Sequence, residues 1–225
     1  MEGDPFQWAI PAELEVPADP LRLRLDFHYQ AVVMTRFGPE LLERKIVSAM
    51  DVSHALASEL SFGSGLLPSQ TLWWRNTRQG QVVALYVEPK VRKLALQEEA
   101  DKPPRRFTIP LPGLIFLCSP GKPPWVFAVK KKPTKETDTV YKAPLFNLYN
   151  NGRSCPGNHK YPVMVGGIVE SFFISFFSPT GDRQGRSIKF PSDIVLLWEY
   201  LNKKKSFPTG DLVKHGTVRD LMQYE

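Results

Sequence analysis

A chain of 225 residues that is 42% hydrophobic and 12% aromatic can bury a real core, which argues against a disordered polypeptide. Two cysteines without a CxxC pair argue against a disulfide framework and a structural zinc site, so no metal and no cofactor are expected. The net charge of +6 is uneven: residues 101–160 hold 11 Lys+Arg against 3 Asp+Glu, and the remainder hold 18 against 20.

In chain order, residues 1–20 carry Pro5, Pro11, Pro17 and Pro20 and read as an extended arm. The acidic start lacks the basic residues and apolar run of a signal peptide, and the apolar stretch near 168–177 is too short to span a bilayer, so a soluble, cytoplasmic protein is expected. Leu21 to Phe27 alternates strictly and predicts a strand continuing into Ala31–Met34. Val52, Ala55, Leu56 and Leu60 are spaced helically, which predicts a helix at about 49–60. The domain organisation is therefore an arm with extra strands over 1–48 and a main domain over 49–225.

Pro68 opens a strand-rich section. Thr71–Arg75 and Gln81–Val87 flank Gln79-Gly80 as a hairpin, and Lys90–Leu96 adds a strand. Arg106–Cys118 and Trp125–Lys131 form the next pair, the first of them bulged or delayed by Pro110 and Pro112. Pro133 to about 166 reads as irregular, with Tyr141, Phe146, Tyr149 and Tyr161 to pin it. Helices follow, one through Val169, Phe172, Phe173 and Phe176, where the aromatic richness also permits a strand, and one through Ile194, Leu197, Trp198 and Leu201 with Ser192 as N-cap. A short last helix covers Thr217 to Gln223. The expected class is α+β, an antiparallel meander packed with helices.

The chemistry-bearing residues lie in the irregular segment. Asn147 precedes Cys155 by eight residues, across the turn-forming Asn150-Asn151-Gly152. A thiol is a good nucleophile and leaving group for acyl transfer, and a side-chain amide can steady the oxyanion that develops on the acyl carbon. Arg153, His159 and Lys160 would favour a thiolate. The blander readings are a small buried cysteine and a turn asparagine bonded to its own backbone. Gly152 supplies a φ > 0 turn position. Asn158 and His159 are candidates for orienting an incoming amine. Pro156-Gly157 stops a helix from starting at the cysteine. Cys118 ends an apolar strand and reads as core.

These residues resemble the ubiquitin-conjugating (UBC) superfamily. There a strand meander leads to a His-Pro-Asn tripeptide, and the catalytic cysteine follows the asparagine by eight residues. Here Leu145-Phe146-Asn147 occupies the tripeptide position, with Gly152 in the turn and Cys155 as nucleophile. The His and Pro are replaced. Pro110–Phe116, Trp125–Lys130, Tyr141–Tyr149 and Gly152–Asn158, with Leu66-Leu67-Pro68 and Trp73-Trp74, resemble a prokaryotic branch typified by protein B of the PRTRC cassette.

The resemblance implies a UBC-like fold with the active-site cysteine in a long irregular segment after the last strand. It also implies a conjugating enzyme that accepts a ubiquitin-like protein as a thioester on Cys155 from a ThiF-like activating enzyme. A JAB-type peptidase and an antiphage or plasmid-cassette setting would accompany it. The competing readings are an inactive UBC-like scaffold that binds the ubiquitin-like protein, and a basic nucleic-acid binder. The binder would use exposed Trp73, Trp74, Trp125 and Phe127, whose apolar neighbours predict burial instead. A hydrolytic cysteine enzyme lacks a local signature around Cys155.

Overall fold

A computed structural model describes residues 21, 23–29, 31–38, 42–53, 66–77, 80–99, 101–175 and 177–224. It divides the chain into two compact units, Met1–Gly65 and Leu66–Glu225. The expected arm over 1–20 lies outside the described residues, as does the second half of the expected helix at 49–60. Residues 49–53 are helical. Ser48 caps them, its hydroxyl accepting from Asp51 N at 3.0 Å while donating to the Asp51 carboxylate at 2.7 Å.

The first unit carries an antiparallel sheet of β1 (Leu23–Phe27), β2 (Val32–Phe37) and β3 (Leu42–Val47) in that order. The expectation of one strand through 21–34 is therefore corrected. The chain reverses at 28–31, where His28 N–H donates to Ala31 O, and Phe27 faces Val32 in the ladder. Alternation fixes which side chains share a face but does not say whether that face is covered. Leu23 and Phe27 are exposed.

In the second unit, β4 (Thr71–Thr77) and β5 (Gly80–Val87) form the expected hairpin. β6 (Lys90–Leu96) pairs with β7 (Arg105–Leu111) as a separate two-stranded ribbon. β8 (Gly113–Cys118) and β9 (Trp125–Val129) return to the main sheet, which continues with β10 (Thr139–Lys142) and β11 (Lys214–Thr217). Its order is β11-β10-β9-β8-β5-β4, all antiparallel.

Two expectations fail here. Arg106–Cys118 is not one strand: Pro112, which cannot donate to a ladder, falls between β7 and β8, and the chain changes sheet there. The segment 133–166 holds a strand, β10, and β11 follows the cysteine, so Cys155 does not come after the last strand.

The main sheet is covered on both faces, which is why its strands read as unbroken apolar runs. Every residue of β8 is buried. Leu114, Phe116 and Cys118 join Val83, Leu85, Val126 and Ala128 in one core with the ribbon and the helices. Ile115 and Leu117 join Ala84, Tyr86, Phe127 and Val129 in a second core under Val218 and Leu221.

Among the described residues, three α-helices complete the unit: α1 (Ile168–Ile174), α2 (Ile194–Leu201) and α3 (Val218–Leu221). Phe176, expected at the end of α1, lies outside the described residues. The buried face of α2 is the predicted stripe Ile194, Leu197, Trp198 and Leu201. Its cap is Asp193 rather than Ser192, with the carboxylate accepting from Val195 N at 2.9 Å and pairing with Arg183. An ionised acceptor suits the helix N-terminus better than a hydroxyl. Thr217 and Asp220 form a capping box on α3. The mixed α+β class stands, mostly antiparallel strands with few helices. No helix among the described residues is long and apolar enough to cross a membrane.

Candidate active site

The interval between Asn147 and Cys155 is a hairpin. Leu148 and Ser154 form an antiparallel bridge, Tyr149 N–H donates to Arg153 O at 2.9 Å, and Cys155 N–H donates to Asn147 O at 2.7 Å. Asn147 and Cys155 are therefore opposite one another. The turn closes through Gly152 N–H to Tyr149 O at 2.9 Å, and Gly152 has φ +91°. The hairpin lies along β9: Trp125 bridges Arg153, Val126 N–H donates to Gly152 O, and Ser154 N–H donates to Pro124 O.

Leu145 and Phe146, in place of a His-Pro pair, are core residues with 0% and 2% exposure. Phe146 meets the Trp198 ring edge-on at 4.8 Å, and Trp198 Nε1–H donates to Pro144 O at 3.0 Å. Helix α2 thus anchors the approach to Asn147 by aromatic packing. Asn147 adopts φ +58°, a left-handed conformation that asparagine tolerates. Its Oδ1 accepts from Ser178 N–H at 2.9 Å and from the Ser178 and Thr180 hydroxyls at 3.1 Å.

The residues after Ser178 form a cradle that sequence reasoning missed. Gly181 has φ +81°, and a Cβ there would come within 2.6 Å of Leu148 O. Asp182 N–H donates to Leu148 O at 2.8 Å, and its carboxylate accepts from Asn150 N–H at 2.5 Å. Arg186 is 1% exposed. Its guanidinium donates to the carbonyls of Asp182, Ala143, Leu148 and Tyr149 at 2.6–3.1 Å. Burial pushes its pKa down to about 10, which leaves it charged at neutral pH. The turn-forming Pro179-Thr180-Gly181-Asp182 was the available signal.

Cys155 is half-buried and free, and Cys118 is buried and free. Tyr149, 42% exposed, places its hydroxyl against the Cys155 sulfur. The two are diagonal neighbours across the hairpin. That contact with Cys155 holds the tyrosine pKa above its usual value. Sequence reasoning gave Tyr149 only a pinning role. Asn158 is exposed. His159 turns to α1, with its Nε2 2.8 Å from Ser171 Oγ and its ring edge-on to Tyr161. The hairpin therefore brings together Asn147, Tyr149, Gly152 and Cys155. Trp74 is exposed, against the expectation of burial, whereas Phe127 is fully buried.

The two thiols should separate chemically. Burial pushes the Cys118 thiol up to about 12, so it holds almost no reactive thiolate at neutral pH. With N-ethylmaleimide the folded chain should take one label, on Cys155, and a second only after denaturation. Peptide mapping that found Cys118 labelled as fast as Cys155 would contradict its buried position.

A half-exposed thiol thus ends a braced hairpin in an α+β domain, facing the backbone carbonyl of an asparagine and lying beside a tyrosine. The model of the prokaryotic E2 family D matches residues 48–215, and the chain belongs to that family. No curated protein and no solved structure matches the chain.

Proposed function

We propose that this chain is a conjugating enzyme that carries a ubiquitin-like protein on Cys155. The observation that carries the reading is the hairpin register, which sets Asn147 opposite a half-exposed Cys155 in a prokaryotic E2 domain. The Cys155 thiolate attacks the carbonyl carbon of the thioester held on a ThiF-like activating enzyme. A new C–S bond forms, and the activating enzyme's thiolate leaves. An amine then attacks the same carbon, a C–N bond forms, the amine proton passes to solvent, and Cys155 leaves as thiolate.

Asn147 contributes by holding the loop. Its side-chain oxygen is committed to Ser178 and Thr180, so its first role is to fix the backbone carbonyl that receives Cys155 N–H. Tyr149 keeps the sulfur oriented before loading. Residues 49–225 would form the conjugating domain. A JAB-type peptidase and an antiphage or PRTRC-like cassette are the setting that the sequence resemblance suggests.

A second reading is favoured by one observation. Leu145-Phe146 stands where the His-Pro pair is expected, and it is used entirely for packing. That would suit a scaffold that binds the ubiquitin-like protein without carrying it. The thioester assay separates the two. With activating enzyme, ubiquitin-like protein and ATP from the same operon, a thiol-reducible adduct should form, become a stable isopeptide in Cys155→Lys, and vanish in Cys155→Ala. An adduct that persists in Cys155→Ala, or none with cognate partners, sinks the enzyme reading.

A further inference from the structure

The fold draws lysines from three distant parts of the second unit onto one groove. Lys90 begins β6, Lys130 directly follows β9, and Lys205 lies in the turn after α2. All three line a groove of about 300 Å³ whose apolar wall includes Val91, Pro110 and Phe207. None of its lining residues is a carboxylate. Lys90 and Lys205 are exposed, and among the described residues neither has an ion-pair partner. Lys130 is held over the Tyr141 ring, with its ammonium 5.1 Å from the centroid. The Cys155 hairpin contributes nothing to this groove, so its role is independent of the thiol.

A solvated lysine cluster needs no apolar wall, and an apolar groove needs no unopposed cations. Their combination fits one kind of occupant. We infer that this groove docks an extended acidic segment of a partner protein, with carboxylates facing Lys90, Lys130 and Lys205 and one apolar side chain seated against Val91, Pro110 and Phe207. A second groove, of about 370 Å³, lies across the β5–β6 turn, but Glu88 and Glu170 line it alongside Lys90 and Arg92, so it offers no such one-sided field. Nucleic acid is a poorer fit, because phosphates require no apolar wall and stacked bases require exposed rings.

The test uses the full chain and a short fluorescein-labelled peptide of Glu and Asp residues around one central Phe. Fluorescence polarisation should show saturable binding that weakens as salt rises. Amide shifts in heteronuclear NMR spectra should cluster at Val91, Gly113, Phe207 and Thr209. The double variant Lys90→Glu/Lys205→Glu should weaken binding roughly tenfold or more. Lys160→Glu, a charge reversal outside the groove, should leave it nearly unchanged. Replacing the peptide's Phe with Ser should also weaken it.

Absence of saturable binding overturns the inference. So does an equal loss in Lys160→Glu, which would reduce the effect to net charge. A single-stranded oligonucleotide that competes with the peptide and depends on the same two lysines would reassign the groove to nucleic acid. The outcome is separable from the thioester assay, since Cys155→Ala should bind the peptide as well as the parent chain.

Discussion

Arg186→Met should lower the unfolding free energy by roughly 3 kcal/mol or more and abolish loading of Cys155. The balance has two sides. A buried guanidinium is costly, and a pKa of about 10, against the value above 12 usual for arginine, reflects on the order of 3 kcal/mol of desolvation. Methionine would relieve that cost. Against it stand four hydrogen bonds from a charged donor, each contributing about 1.5–3 kcal/mol.

The Leu148 and Tyr149 carbonyls keep backbone donors in Asp182 N–H and Gly152 N–H. The Ala143 and Asp182 carbonyls lose the guanidinium that reaches them. Hydrogen bonding outweighs desolvation, and the loss falls on the hairpin that carries the cysteine. Arg186→Lys should recover little, because one ammonium cannot reproduce a planar fork that reaches four carbonyls. Urea unfolding gives the stability, and the thioester assay gives the function. A change in stability below about 1 kcal/mol for Arg186→Met would mean that the cradle does not depend on its central cation.

How far the site was legible follows from contact range. The Asn147–Cys155 spacing could be read because a hairpin is local: nine consecutive residues contain both strands and the turn, and Asn150-Asn151-Gly152 announces the reversal. The Ile194–Leu201 stripe and the β4–β5 hairpin were legible for the same reason. Arg186 was not. Its acceptors Ala143 and Leu148 lie 43 and 38 residues earlier, and arginine in a polar stretch reads as surface.

The change of sheet at Pro112 was half visible. The proline marked an irregularity, but only the pairing partners of β7 and β8 show that it separates two sheets. The turn at 28–31 has neither glycine nor proline, so alternation ran straight through it. Replacement of the tripeptide's His-Pro by Leu145-Phe146 looked like a defect in sequence. In the fold it is a different brace, in which Trp198 packs Phe146 and Ser178 and Thr180 hold Asn147.

Gly152→Ala should destabilise the chain by roughly 3 kcal/mol, the sum of a left-handed alanine at about 1–2 and overpacking at about 1–3. The new Cβ would lie 2.5 Å from both Cε1 and Cζ of Phe127. That ring has no exposure and little freedom to retreat, since His215 and Tyr224 stand at 4.9 and 5.6 Å between centroids. The hairpin must therefore move instead, and with it the Gly152 O to Val126 N–H bond that seats it on β9. Cys155 is three residues further on, so thioester formation should fall by more than the population of unfolded chain explains. A double-mutant cycle with Phe127→Leu isolates the contact. Shortening the ring opens the space the new methyl needs, so the double variant should be more stable than the sum of the singles by about 1 kcal/mol or more. Strict additivity would mean that the turn absorbs the methyl without touching Phe127. The cost of Gly152→Ala would then belong to backbone conformation alone, and the sheet would not be what holds the cysteine hairpin in register.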